Sequence, residues 1–197
     1  MTFLIFSCKK ESRIDACDQR FYYYSNDKIF LTELNDKLTI SFPLNTTAQE
    51  KRDLISQFSF LGAIETSVEG PKNNFVLTSF KGSRSCQEAK NRIIEIQNNT
   101  LVSSASLMLV YKNDQSLQGL VGQFLVKLKP ITTKQDLDSL ASLTNTKILY
   151  RSAFDTLLYT LGADKHSNGD VLDMANWFFE TGKFQYSEPN FVRTTLR

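Results

Sequence analysis

Two stretches of this chain share one pattern about 85 residues apart: Ala89, Ile93 and Ile94 fall on Met174, Phe178 and Phe179. Around each copy the order of short elements is also the same. A repeat of this length is a duplicated domain rather than a solenoid, whose units are shorter. The second copy is the better defined at its end. Asp170 is a good N-cap after the turn dipeptide Asn168-Gly169. Val171, Met174, Ala175 and Phe178 recur at i, i+3, i+4, i+7, one face of a helix, and Gly182 stands where a helix C′ residue belongs. Phe184 to Ser187 reads as a strand. Pro189 marks where pairing should stop, because proline has no N–H for a ladder.

The first copy begins at Lys37. Leu38, Ile40 and Phe42 alternate with polar residues, as in a half-buried strand. Thr46 or Thr47 caps a helix carrying Leu54, Ile55 and Phe58, and Ile64 to Val68 is the next strand. Glu69 to Asn73 is a turn, and Phe75 to Phe80 a third strand. Ser85 caps a helix with Ala89, Ile93 and Ile96, and Leu101 to Val110 holds a fourth strand. The order β-α-β-β-α-β predicts a split-βαβ, ferredoxin-like fold. Asn113 to Gly122, with two glycines, reads as a joint. Then the order restarts: a strand at Phe124 to Leu128, a helix capped by Thr132 or Thr133, strands at Lys147 to Tyr150 and within Phe154 to Leu161, and a turn at Asp164 to Gly169. Ahead of both copies, Phe21-Tyr22-Tyr23-Tyr24 and Lys28-Ile29-Phe30-Leu31 flank Ser25-Asn26-Asp27, a hairpin signal. The predicted class is therefore α+β: two tandem ferredoxin-like modules with antiparallel sheets, at 21–112 (with the hairpin) and 123–192. Residues 1–20 lead in as a tether, and 193–197 form a tail.

Such a sheet carries helices on one face only. Phe124-Leu125-Val126 and Leu157-Leu158-Tyr159-Thr160-Leu161 are largely apolar in both alternating sets, and strands of that kind are buried on both faces. The open face of the second module is expected to meet the first module, another copy, or another protein.

Other features limit the function. The net charge is +2 with Lys and Arg scattered, so no basic patch points to nucleic acid. There is one histidine, His166, in a polar turn, and no G-x-S-x-G, phosphate loop or C-x-x-C. A serine-hydrolase triad, a zinc site and a nucleotide cradle all lack their residues. The reading is of a chain without catalytic residues, metal or cofactor. Trp177 is a core residue or a contact anchor. At the start, Phe3 to Ser7 followed by Cys8 and two lysines looks like the end of a lipoprotein signal, with Cys8 acylated; the other reading is a frayed apolar N-terminus. On the first reading the protein is exported, to the periplasm or the cell surface, and meets the membrane only through that lipid. Cys17 and Cys86 then remain. They pair in an oxidising compartment, or Cys86 is an ordinary buried residue at a helix start.

Several motifs together resemble the N-terminal pro-region of bacterial subtilisin-like serine proteases of the lipoprotein type: Phe21 to Tyr24 with Lys28-Ile29-x-Leu31-Thr32, Phe124 to Leu128, and above all Met174 to Phe191 (MANWFFETGKFQYSEPNF). The resemblance spans about residues 21–192. It implies a ferredoxin-like core that assists folding of a protease catalytic domain, in cis or in trans, and inhibits it. By position it implies protease contacts from Phe184, Tyr186, Glu188, Pro189 and Asn190, with Glu188 capping a protease helix. Arg193, Thr194, Thr195, Leu196 and Arg197 would form a tail in the substrate cleft. The alternative is a surface-anchored lipoprotein module in which Tyr22, Tyr23, Tyr24 and Trp177 contact a glycan or a protein.

Overall fold

A computed structural model describes residues 16–64, 74–111 and 113–195. The described residues are mixed α and β, with four helices and an eight-stranded antiparallel sheet. Strands β1 (Ala16–Tyr24) and β2 (Asp27–Ser41) form the leading hairpin. Helix α1 (Ala48–Gln57), β3 (Phe75–Ser79), α2 (Cys86–Gln97) and β4 (Ser104–Tyr111) complete the first half. The second half is β5 (Ser116–Leu128), α3 (Lys134–Leu143), β6 (Lys147–Arg151), β7 (Leu158–Gly162), α4 (Val171–Glu180) and β8 (Phe184–Thr195).

The helices start where their caps dictate. Thr47, Thr133 and Asp170 each close a capping box, with Glu50, Asp136 and Asp173 respectively, and Ser85 accepts the Glu88 N–H. Each box satisfies two N–H groups that an α-helix otherwise leaves without partners.

In the second half the strands lie in the order β8-β5-β7-β6; in the first, β4 and β3 flank β2. The predicted strand at 64–68 falls outside the described residues except for Ile64. Just before it, Leu61 bridges Phe80 and the Gly62 N–H donates to Ser79 O at 2.7 Å, so the chain already runs along the outer side of β3.

Each half has its own helix-side core. Leu38, Ile40, Phe42, Val76 and Leu107 pack under α1 and α2, and Phe124, Val126, Leu161, Ala175 and Phe178 pack under α3 and α4. On β4, Leu107 faces the first core and Leu109 the second; residues two apart share a strand face, so all four helices lie on one side of the sheet.

Three expectations fail. Residues 113–122 are not a joint. Only a short turn ends there, and β5 runs unbroken from Ser116, pairing first with β4 and then with β7 while β8 accompanies it on the other flank. Its glycines serve packing rather than flexibility. A Cβ on Gly119 would run into Thr39 Oγ1 and lie 2.8 Å from Val192 Cγ1, so β5 crosses the open face of the first half at backbone distance. Gly122 (φ +71°) sits at the register shift in the middle of β5. Second, Pro189 does not end pairing: β8 continues to Thr195, opposite Ser116. Among the described residues its one partner strand is β5, and an edge strand tolerates a proline whose missing N–H faces away from the ladder. Third, Arg193, Thr194 and Thr195 are therefore strand residues rather than a free tail, and Arg193 pairs with Asp114.

Crossing in this way, the start of β5 and the end of β8 close the open face of the first half. Leu34, Leu77, Met108, Val110 and Leu117 form a third cluster there, with Val192 against it. Cys17 and Cys86 form a disulfide, the first of the two sequence readings.

Candidate protein-docking face

The first half's open face is sealed from within; among the described residues no element covers the second half's. Its residues follow from register, since paired residues share a face. One row runs Glu188–Leu125–Thr160–Tyr150 across β8, β5, β7 and β6, and the next runs Tyr186–Lys127–Leu158. A bulge in β6 between Ile148 and Tyr150 turns Leu149 to the same side, its Cδ1 over the bare Gly162. Ile148 faces the core instead. Leu149 is 43% exposed, Tyr150 57% and Phe154 101%. A sheet face with apolar side chains this open is typical of a surface built for contact.

Phe154 is held out by an ordered loop. Its own N–H and that of Asp155 donate to Ser152 Oγ, the Leu157 N–H donates to Asp155 Oδ1 at 2.9 Å, and Arg151 Nε donates to Thr156 O at 2.7 Å. Lys127 reaches across from β5 to Asp155 Oδ2 at 2.7 Å. The hydrogen bond between them holds the Lys127 amine above, and the Asp155 carboxyl below, its usual range. Preorganisation of this kind lowers the ordering cost of association.

Glu188 is the contrasting group. Among the described residues it has no hydrogen bond or ion pair, and burial pushes its carboxyl up. Burial also raises the Tyr186 phenol beside it. A half-buried carboxylate without donors is ready to accept N–H groups from outside.

The structure divides the residues expected to contact a partner. Tyr186 and Glu188 lie on the open face. Phe184 points to the core, 5.4 Å from the Phe178 ring, and Pro189 is buried opposite Phe124. Asn190 is exposed next to the β5 irregularity, and Arg193 to Thr195 lie in the ladder. Leu196, Arg197 and Cys8 lie outside the described residues. The tyrosine run does not form one exposed cluster. Tyr22 packs on Phe191, Tyr23 stacks on Phe179, and Tyr24 is open to solvent. Trp177 is partly buried at the edge of the second core.

Sequence reasoning missed Leu149, Tyr150 and Phe154. Ile148-Leu149-Tyr150 is apolar in both alternating sets, the same signal that marked Leu125 and Leu158. Among the described residues no group of three His, Cys, Asp or Glu could hold a metal ion, and no helix is long and apolar enough to cross a membrane.

No protein-family model matches the chain, and no curated protein does. Among solved structures, RNA recognition domains 1 and 2 of Sex-lethal from Drosophila melanogaster match 82% of this chain and 99% of that one, at 12% identity and a TM-score of 0.24. That likeness is too slight to bear on function.

Proposed function

We propose that this chain is a propeptide-like binding module for a subtilisin-like serine protease, exported and acting as folding assistant and inhibitor. In this reading it consists of two tandem ferredoxin-like modules that share β5, and the second lays its open sheet face on a helical surface of the protease. The observation that carries the reading is that face, with exposed Leu149, Tyr150 and Phe154 and with Glu188, which has no partner among the described residues. Carboxylates are favoured at exposed helix N-termini, where backbone N–H groups lack partners, and Glu188 is placed to supply one. The order β8-β5-β7-β6 is that of a ferredoxin-like sheet, which supports the fold side of the reading. The paired cysteines suit an oxidising compartment, which supports export.

Face docking, not tail insertion, is the main contact. Residues 193–195 would have to leave β5 before they could enter a cleft. An interface of about 1,600 Å² is typical for a protease and its inhibitor. The test is titration of a purified subtilisin-like protease, together with refolding of its catalytic domain with and without the chain. Tight inhibition and faster refolding are expected, and both should weaken at least about tenfold in Tyr150→Ser/Phe154→Ser, the range for loss of an aromatic anchor. Inhibition that the double variant leaves intact would reject face docking.

A further inference from the structure

Strand β1 lies lengthwise along α4. One stripe of the helix meets it: Asp170, Asp173, Asn176, Phe179 and Glu180. Arg20 Nη2 donates to Asp170 Oδ2 at 3.1 Å and to Asp173 Oδ1 at 2.8 Å, while its Nη1 donates to Glu33 Oε1 at 2.8 Å. Further along, Asn176 Nδ2 donates to the Phe21 carbonyl at 2.8 Å. At the far end Tyr23 OH donates to Glu180 Oε1 at 2.9 Å, and its ring stacks on Phe179 with centroids 4.3 Å apart. Tyr22, from the same strand, covers Phe191 of β8. A strand from the first half thus covers the seam between α4 and β8 of the second.

An edge strand of this kind is among the first elements to open locally. Its pairing with β2 is regular from Gln19 to Tyr24, shifts register between Ala16 and Gln19, and resumes only at Ala16 opposite Leu34, so the ladder is weakest at the end away from the hairpin turn. That end is also held by the Cys17–Cys86 disulfide to the start of α2, 69 residues away in sequence, and by the partly exposed pair of Lys90 with Asp18. Exposed pairs of that kind hold little.

We propose that β1 is a redox-sensitive lid over the α4–β8 seam, with the Cys17–Cys86 bond as its latch. A dithiol opens it. One thiolate of the dithiol attacks one sulfur of the bond, and the other cysteine leaves as a thiolate that takes up a proton. The dithiol's second thiol, losing its proton, then displaces the first cysteine, so the dithiol is oxidised to a disulfide and both cysteines become thiols. Cys17 and Cys86 are only half buried, so a small dithiol reaches them. With the latch open, β1 frays from its irregular end through Arg20, and the α4 stripe and Phe191 become accessible. This proposal stands independently of the protease reading.

The test is amide hydrogen exchange on the oxidised protein, and on the same protein after dithiothreitol treatment under native conditions. Protection of β1 and of the α4 amides is expected to fall about tenfold or more, the loss of roughly one charge-assisted hydrogen bond, while β3, β7 and α3 keep theirs. Arg20→Met in the oxidised protein breaks the strap's other anchorage and should loosen α4 with the latch intact. Unchanged protection in β1 and α4 on reduction overturns the proposal. So does an equal loss everywhere, which is the signature of a disulfide that merely stabilises the whole fold.

Discussion

Replacing Gly119 with alanine measures how closely β5 lies on the first half. Its φ is ordinary, so alanine meets no backbone strain, and the cost is purely one of space. The new methyl would run into Thr39 Oγ1 and lie 2.8 Å from Val192 Cγ1 and 3.2 Å from Leu77 Cδ2. Overpacking of this kind costs about 1–3 kcal/mol. Against it, alanine restricts the unfolded chain and returns roughly 0.4–1 kcal/mol. A net loss of about 1–2 kcal/mol is expected, or about 2–8 °C in Tm for a chain of this size. Thr39→Ala provides the cycle, because Thr39 Oγ1 is buried without a hydrogen-bond partner and its removal breaks none. In that background Gly119→Ala should cost less, with a coupling of about 1 kcal/mol; Val192 remains close, so recovery is partial. Gly162→Ala is the control. Its nearest neighbours are Leu149 side-chain atoms 3.4–3.5 Å from the new methyl, an ordinary contact, and stability should hold or rise slightly. Urea unfolding of the four proteins of the cycle and the control decides it. If Gly119→Ala is as mild as Gly162→Ala, or its cost is additive with Thr39→Ala, β5 does not cross β2 at the distance described.

Glu188→Gln should raise stability at neutral pH. Burial raises the folded carboxyl above its unfolded value, so the folded state binds the extra proton and wild-type stability falls as pH rises through the folded value; below about pH 4, the ordinary range for glutamate, wild type and variant should converge in urea titrations. The same substitution should weaken protease binding if Glu188 caps a helix there, measured by inhibition at neutral pH. Thr133→Ala removes the α3 cap and should cost about 1 kcal/mol by chemical denaturation, with no effect on inhibition. Phe154→Ser should leave Tm within about 1 °C, because an exposed side chain without packing contributes little to folding, while its loss is felt in complex formation.

What could be read from the sequence was local. Thr46 or Thr47, Ser85, Thr132 or Thr133, and Asp170 announce helix starts through side-chain chemistry that acts over three residues, and the caps used are Thr47, Ser85, Thr133 and Asp170. Strand alternation at Leu38-Ile40-Phe42 likewise needs only a buried face. Gly119 and Pro189 misled because their meaning is set by residues far away. A glycine pair reads as slack until Thr39 and Val192 are seen to occupy the space of a side chain. A proline reads as a stop until its strand proves to have one neighbour. The open face of the second half was half legible: Leu125 and Leu158 lie in strands apolar on both sides, whereas Leu149 reaches that face only through a bulge that periodicity does not reveal. The cysteine pair could not be decided from spacing, since a separation of 69 residues leaves the approach of β1 to α2 unspecified.

The 13-residue length of β5 also bears on how this chain can be divided. Cutting at its glycines would look natural from the repeat, yet it would strip the second sheet of half its central strand and leave Leu77 and Met108 of the first facing water. Either half alone would be a piece with an open seam, prone to seek its missing half in another molecule.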